Sequence, residues 1–250
     1  MKCIAIIPAR YDSSRFPGKP LADLGGKPMI QRVYEQACKV FSTVVVATDD
    51  ERISGAVRNF GGMAVMTSAS HKSGTDRCAE AVQITEKQLS GTFDTVINIQ
   101  GDEPFVQPEQ LKLIESCMAP SGAQIATLVR PLHDRQELFD PNKPKVVLNK
   151  NSEAIYFSRS VIPYIRGIDS PDWPDHHRFY IHIGLYAFRR DILTAVTMLE
   201  SSSLEIAESL EQLRWIENGY RIIAGITEFE SCGIDTPEDL AKAIEKLGKM

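Results

Sequence analysis

The sequence lacks the features that define several large classes of protein. No apolar segment approaches the roughly 18 residues of a membrane-spanning helix. The apolar stretch at the N-terminus stops at Pro8 without a small-residue cleavage site, so we expect no signal peptide. With only 16 Gly and 5 Cys in 250 residues, the chain is neither collagen-like nor a disulfide scaffold.

The cysteines also lack a pattern, because none of them forms a CxxC pair and their number is odd. They are Cys3, Cys38, Cys78, Cys117 and Cys232. Widely spaced cysteines of this kind are typical of proteins in a reducing compartment. We therefore predict buried, reduced thiols and a cytoplasmic location.

Positive charge is scarce overall but concentrated at the start of the chain. The formal net charge is -5, which disfavours a nucleic-acid partner. Residues 1–20 nevertheless carry a net charge of +3, with Lys2, Arg10, Arg15 and Lys19 against Asp12. A local cationic segment on an acidic chain indicates a site for an anion.

Alternating strands and helices dominate the first half of the sequence. The apolar runs predict strands at residues 2–7, 43–48, 63–67 and 95–99. Helices are expected from Pro28 through Val40, from Asp50 to about Phe60, and after a cap at Thr75 or Asp76. This order predicts a mostly parallel sheet between helices, with ligands bound at the carboxyl ends of its strands.

The second half is richer in strands. They are predicted at residues 123–131, 145–149, 154–158, 179–188 and 221–226. One helix is expected over 204–218, ending at Gly219, and a last one over 237–247 with Thr236 as its cap. Residues 166–178, rich in Pro, Asp and His, predict an exposed excursion.

The loop after the first strand is the strongest candidate for anion binding. It carries Arg10, Arg15 and Lys19, whose charges can neutralise phosphate groups. The loop contains neither GxxxxGK[ST] nor GxGxxG, so it is not one of the common nucleotide-binding loops.

Two carboxylates are candidate ligands for Mg²⁺. Asp102 follows a predicted strand within Gln100-Gly101-Asp102, and Asp235 precedes the final helix. Mg²⁺ prefers a few carboxylates together with water and phosphate oxygens. A polar turn explains Asp102 equally well when it is taken alone.

Taken together, the motifs resemble a known family. IPARYDSSRFPGKPL, SGTDR, NIQGDEP, HIGLYAF, LEQLR and GIDTPEDL occur in the order typical of the 3-deoxy-manno-octulosonate (Kdo) cytidylyltransferases, or CMP-Kdo synthetases. The resemblance runs from residue 2 to about 247. It implies one α/β domain over 1–250 of the Rossmann-like nucleotide-diphospho-sugar transferase fold. It also implies a strand-rich region at about 131–190 for sugar binding and dimerisation.

The resemblance implies transfer of CMP from CTP to Kdo, for lipopolysaccharide synthesis, by a cytoplasmic homodimer. Arg10, Arg15 and Lys19 would hold the triphosphate, and Asp102 and Asp235 would bind Mg²⁺. The nucleoside would contact Ala9, Ser73, Thr75 and Arg77. The sugar-binding residues implied are Gln100, Arg159, His182, Tyr186, Glu211 and Gln212, with Arg159 on the carboxylate.

Other functions stay open at this point. A related acid sugar, either a sialic acid or 8-amino-Kdo, would fit the same motifs. A catalytically inactive binding protein on this scaffold is disfavoured because every expected charged position is filled. An RNA-binding module is disfavoured by the net charge and by the lack of an aromatic-basic stripe.

Overall fold

The computed structural model describes residues 1–12, 15–120, 122–230 and 233–248. Ser13 and Ser14 of the cationic loop, and Cys232, lie outside the described residues. The chain divides into two compact units, one formed by residues 1–115 and 231–250 and the other by residues 116–230. The predicted α/β class, with helices beside parallel and antiparallel strands, is confirmed.

Four parallel strands form the sheet of the first unit. They are β1 (Cys3–Ala9), β2 (Val44–Thr48), β3 (Ala64–Met66) and β4 (Thr95–Asn98). β1 pairs with β2 on one side, where Ile6 faces Val45, and with β4 on the other. Nearly every residue of β1, β2 and β4 is buried. Continuous apolar runs suit such strands because both faces of a parallel sheet are covered.

The helices of the first unit begin at well-defined caps. They are α1 (Met29–Cys38), α2 (Glu51–Asn59), α3 (Gly74–Leu89), α4 (Pro108–Cys117, which crosses the unit boundary) and α9 (Pro237–Leu247). The prediction that Thr75 or Asp76 caps α3 is wrong. Ser73 is the cap: its side chain accepts a hydrogen bond from the backbone N–H of Asp76, and the Asp76 side chain accepts one from the backbone N–H of Ser73. A capping box of this kind needs its two side chains three residues apart. The predicted cap of α9 at Thr236 is confirmed.

Antiparallel pairing dominates the second unit. Its strands are β5 (Ile125–Pro131), β6 (Lys145–Leu148), β7 (Ala154–Ser158), β8 (Tyr180–Arg189) and β9 (Ile222–Ile226). β8 runs antiparallel to β5 and β6, and β6 runs antiparallel to β7. β9 pairs with β5 in the parallel direction. The predicted strand positions are confirmed to within about two residues.

The helix predicted over 204–218 is wrong as one element. The structure has α7 (Ser203–Glu208) and α8 (Glu211–Glu217) instead. Ser209 has a φ of 51°, a left-handed conformation that ends a helix, and Leu210 is extended. Apolar spacing alone does not reveal such a break. Gly219 follows the end of α8, as predicted.

The segment at residues 166–178 is largely exposed, as predicted, but it contains one buried residue and two short helices. It contains a short 3₁₀ helix (Ser170–Asp172) and α5 (Trp173–His176). Trp173 is buried against Leu138 and Phe179 because its ring supplies apolar area that the surrounding polar residues lack. The second unit also contains α6 (Arg190–Val196).

The described cysteines only partly match the prediction of buried thiols. Cys3, Cys38, Cys78 and Cys117 are all free. Cys3 and Cys78 are buried, but Cys38 is exposed because it lies in the last turn of α1 on the face away from the sheet. Burial raises the pKa of the Cys3 thiol to about 12. Within the described ranges, no helix has the length and apolar character needed to cross a membrane.

Candidate active site

A polar pocket of about 250 Å³ lies in the first unit, at the carboxyl ends of β1 and β4. It brings together nine of the residues predicted for the site. They are Ala9, Arg10, Arg15, Lys19, Ser73, Arg77, Gln100, Asp102 and Asp235. Thr75 is buried in the first turn of α3 and does not line the pocket.

Lys19 is the charged centre of this pocket. Its Nζ lies 2.6 Å from Asp102 Oδ2 and 3.0 Å from Asp235 Oδ1. Burial works against the charged form of Lys19, but the two carboxylates outweigh it and raise its pKa. Arg15 adds a second cation, with Nη2 3.1 Å from Asp235 Oδ1. Two carboxylates therefore converge on one cationic position.

Close backbone approach brings the two carboxylates together. Ile234 donates its N–H to the carbonyl of Asp102, at 2.9 Å, which fixes the segment before α9 beside the end of β4. At Gly101, a Cβ would lie 2.9 Å from the Pro8 carbonyl oxygen, so only glycine fits there. The loop after β1 and the loop after β4 can approach each other for this reason.

The cationic loop is held from the side by α2. The N–H of Gly18, whose φ is 73°, donates to the carbonyl of Tyr11, and the Tyr11 ring packs against Gly18. The guanidinium of Arg52 lies 3.3 Å from the centre of the Tyr11 ring. Asp50, which caps α2, accepts hydrogen bonds from Arg52 Nε and Nη2. This chain of contacts links the position of the loop to the start of α2.

The residues predicted near the nucleoside are largely engaged within the protein. Arg77 is almost fully buried and donates to Thr67 Oγ1 at 2.7 Å and to Asp49 Oδ2 at 2.9 Å. Ser73 caps α3. Arg10, by contrast, makes no hydrogen bond or ion pair with any described residue and keeps its charge available to a ligand.

Among the residues that line the pocket without having been predicted for the site, two carry titratable side chains. His71 lies against Glu80, and Lys72 is an exposed cation beside Ser73. Their position in the loop after β3, next to the SGTDR motif, was the available signal. Lys72 adds a further positive charge to a pocket that already has four, on Arg10, Arg15, Lys19 and Arg77.

The carboxylate pair fits a divalent metal ion. Asp102 and Asp235 already place oxygens within 3.0 Å of a single cationic nitrogen. Such oxygens are the ligands that Mg²⁺ prefers, with phosphate and water completing the shell. No cluster of three or more His, Cys, Asp or Glu residues suited to a metal occurs in the described part of the chain.

Most of the residues predicted for the sugar lie in the second unit. Gln100 belongs to the first unit, while His182 and Tyr186 lie side by side on β8 with ring centres 5.4 Å apart. Burial lowers the pKa of His182 to about 3. Burial, followed by the nearby charge of Glu211, raises the pKa of Tyr186 well above its usual value. Both side chains are therefore neutral at physiological pH.

Arg159, predicted to bind the sugar carboxylate, already donates several hydrogen bonds within the protein. Its Nε, Nη1 and Nη2 donate to the backbone carbonyls of Glu208, Pro141 and Ser209. Two of its five N–H groups remain for a ligand.

The residues predicted on α8 differ in how they are paired. Glu211 accepts a hydrogen bond from Arg214 at 2.9 Å. Gln212 is buried, and its Nε2 has no hydrogen-bond partner among the described residues. A buried amide of this kind is available to a ligand or a water molecule.

Comparisons with known proteins identify the family of this chain. A family model described as cytidylyltransferase matches residues 4–222. A 3-deoxy-manno-octulosonate cytidylyltransferase of Parabacteroides distasonis is 60% identical, over 99% of this chain and 98% of its own length. The chain belongs to the 3-deoxy-manno-octulosonate cytidylyltransferase family. The relative of the same name from Bacteroides thetaiotaomicron is 57% identical, over 99% of this chain and 98% of its own length.

A solved structure extends the comparison to three dimensions. The CMP:2-keto-3-deoxy-manno-octonic acid synthetase in complex with CTP is 42% identical and has a TM-score of 0.90. The match covers 100% of this chain and 99% of the other. Cytidylyltransferases generally use a divalent metal ion. The family predicted from the motifs is thus confirmed along the whole chain.

Proposed function

We propose that this protein transfers CMP from CTP to the anomeric hydroxyl of Kdo and releases pyrophosphate, which activates Kdo for lipopolysaccharide synthesis in the cytoplasm. The observation that carries the proposal is the convergence of Lys19 and Arg15 on the carboxylates of Asp102 and Asp235. The family supplies the substrates, because its members are named for Kdo and the matched synthetase structure holds CTP.

The reaction needs positioning and charge neutralisation more than it needs a reactive side chain. The sugar oxygen forms a bond to the α-phosphorus while the bond to the leaving pyrophosphate breaks in line with it. Arg10, Arg15 and Lys19 hold the triphosphate and stabilise the charge that builds up on the leaving oxygens. Of these three cations, Arg10 is the one with no hydrogen-bond or ion-pair partner among the described residues, which suits it to bind a phosphate.

Mg²⁺ is the proposed cofactor, with Asp102 and Asp235 as its protein ligands. When bound, it would polarise the α-phosphate and lower the pKa of the sugar hydroxyl. Lys19 lies between the two carboxylates, and its charge would pair with the phosphates where a metal ion held the carboxylates. A lysine that exchanges a carboxylate for a phosphate keeps its charge paired throughout.

The remaining predicted residues are assigned to the two substrates. Ala9, Ser73, Thr75 and Arg77 are proposed for the cytidine. The sugar is assigned to Gln100, Arg159, His182, Tyr186, Glu211 and Gln212. Arg159 keeps two free N–H groups, enough for one contact with the Kdo carboxylate.

Pyrophosphate release tests the function directly. We expect release with CTP and Kdo in the presence of Mg²⁺, and none with ATP, GTP or UTP. Release with a sialic acid or 8-amino-Kdo, but not with Kdo, would replace the substrate. No release with any of these sugars would favour the inactive binding protein.

A homodimer is the proposed assembly, with the region of about residues 131–190 contributing to it. Large apolar side chains are exposed in the second unit. They include Ile155, Tyr164, Met198 and Ile206, which are 53 to 81% exposed. Exposed apolar area of this kind favours association. Light scattering on the wild type and on Ile155→Lys tests the assembly, and a monomeric wild type would contradict it.

A further inference from the structure

An irregularity in the pairing of β5 and β8 surrounds a buried threonine. Leu128 faces Ile183 and its neighbour Thr127 faces Tyr186, so two residues of β8 lie between these partners. The hydroxyl of Thr127, which is fully buried, contacts two carbonyl oxygens at this point. It lies 2.9 Å from the oxygen of Leu185 and 3.2 Å from that of Ile183. Its third neighbour is His182 Nε2, at 3.0 Å.

The hydroxyl has one hydrogen for these three neighbours. The carbonyl oxygens can only accept, so the hydrogen points to one of them, and the shorter contact is with Leu185. The lone pairs of Thr127 Oγ1 then face His182 Nε2, which must donate. If Thr127 instead donated its hydrogen to His182 Nε2, both carbonyl oxygens would face the hydroxyl oxygen without a hydrogen between them. The hydrogen-bond network therefore fixes the proton of His182 on Nε2.

We propose that Thr127 is a positioning residue that holds His182 as the Nε2–H tautomer, so that Nδ1 accepts a hydrogen bond from a hydroxyl of the acid sugar. This inference rests on the proposed function, which assigns His182 to the sugar. No described residue forms a hydrogen bond with Nδ1. Phe157 and Tyr186 pack against the ring with centre distances of 5.1 and 5.4 Å, which holds its plane.

The surroundings keep the ring neutral, which the tautomer requires. A protonated ring would carry a hydrogen on both nitrogens and could donate to a carboxylate. Burial lowers the pKa of His182 to about 3, so this form is absent at physiological pH. His182 therefore selects a hydroxyl donor and does not bind the carboxylate of the sugar. The carboxylate must be bound by a cation, for which Arg159 is available.

Nuclear magnetic resonance of the imidazole nitrogens tests the tautomer without any substrate. The signals of His182 are identified by their loss in His182→Gln. We expect a proton on Nε2 and a bare Nδ1 in the wild type and in Thr127→Ser, which keeps the hydroxyl. Thr127→Val removes the acceptor and should shift the population toward Nδ1–H. A wild type with the proton on Nδ1 overturns the proposal, even if neither Thr127 variant folds.

Kinetics test the consequence for the sugar. Thr127→Val should raise the KM for Kdo about tenfold, as expected for one lost hydrogen bond, while the KM for CTP stays unchanged. Thr127→Ser should restore the wild-type value. Equal rises in both KM values would indicate a purely structural role and overturn the proposal. If the tautomer is as predicted but Kdo is not a substrate, the proposed function and the sugar contact fail together, and the tautomer assignment alone remains.

Discussion

The predicted phosphate-binding residues of the first unit and the predicted sugar-binding residues on β8 of the second unit differ in charge. In the first unit, Lys19 and the two carboxylates beside it are all charged and only partly buried, with Asp235 44% exposed. In the second unit, His182 and Tyr186 lie among aromatic rings, and burial lowers the pKa of His182 and raises that of Tyr186, so both favour the neutral form. A charge is stable when it is paired, whereas a buried group without an opposite charge beside it favours its neutral form.

This difference matches the ligands proposed for each set of residues. A triphosphate carries several negative charges, so its binding residues must neutralise charge at an accessible site. A sugar presents mainly hydroxyl groups, which neutral donors and acceptors recognise by direction. Changes of charge should therefore reduce activity most in the first unit. Changes of hydrogen bonding should matter most in the second.

Removing a charge at the carboxylate pair should give the largest effect. Asp102→Asn keeps the shape of the side chain but leaves Lys19 with Asp235 alone and removes one proposed metal ligand. We expect kcat to fall about 10³-fold, the scale of losing one group that stabilises developing charge. Pyrophosphate release measures it. Glu238→Gln, an exposed carboxylate in the first turn of α9, is the matched control and should leave kcat unchanged. An active Asp102→Asn enzyme would contradict the assignment.

The buried ion pair of the first unit should affect stability next. Arg77→Met leaves the Asp49 carboxylate, which is 20% exposed, without its partner. We expect a loss of about 3 kcal/mol in the free energy of unfolding, measured with urea. The double variant Asp49→Asn/Arg77→Met should recover part of that loss, because no unpaired charge remains. Arg135→Met breaks an exposed ion pair with Asp175 and should leave the free energy of unfolding unchanged. Equal effects at both arginines would show that burial does not decide the cost.

Much of the fold could be predicted from the sequence because its signals are local. The apolar runs of β1 and β2 and the capping box at Thr236 identify their elements directly. The break at Ser209 could not be predicted, since its left-handed backbone depends on how α7 and α8 pack. The cap of α3 was missed although Ser73 and Asp76 have the spacing of a capping box. The sequence contained the capping-box spacing, but the wrong one of several neighbouring residues was predicted as the cap.

The sequence predicts where the site residues lie, but it does not predict their hydrogen-bond partners. The segments around Lys19 and Asp102 follow strands of one parallel sheet, so their meeting could be predicted. The partners of Arg77 and Arg159 could not, because they depend on contacts between residues far apart in the chain. Thr127 carried no signal at all, since a threonine within a predicted strand is ordinary.

The neutral histidine of the second unit should appear in the pH dependence of stability. His182 has a pKa of about 3 when folded, below its ordinary value of 6.5, so the unfolded chain binds the extra proton between these values. Stability is therefore full above pH 6.5 and falls as the pH decreases toward 3. Between pH 8 and pH 5 the free energy of unfolding should fall by about 2 kcal/mol more in the wild type than in His182→Gln. Urea unfolding at the two pH values measures this. His176→Gln, which changes an exposed histidine, should behave as the wild type.

The smallest effect on activity is expected for Arg52, which supports the cationic loop by packing and not by binding a substrate. Arg52 contacts no predicted ligand group, but its guanidinium stacks on Tyr11 and is held by Asp50. Arg52→Ala should loosen the cationic loop and raise the KM for CTP about two- to fivefold, the scale of one exposed cation–π contact. The KM for Kdo should not change. Arg58→Ala, at the other end of α2, is the matched control, since it removes the same charge without touching Tyr11. Equal KM values for the two variants would mean that net charge near the pocket, and not the position of the loop, sets the affinity for CTP.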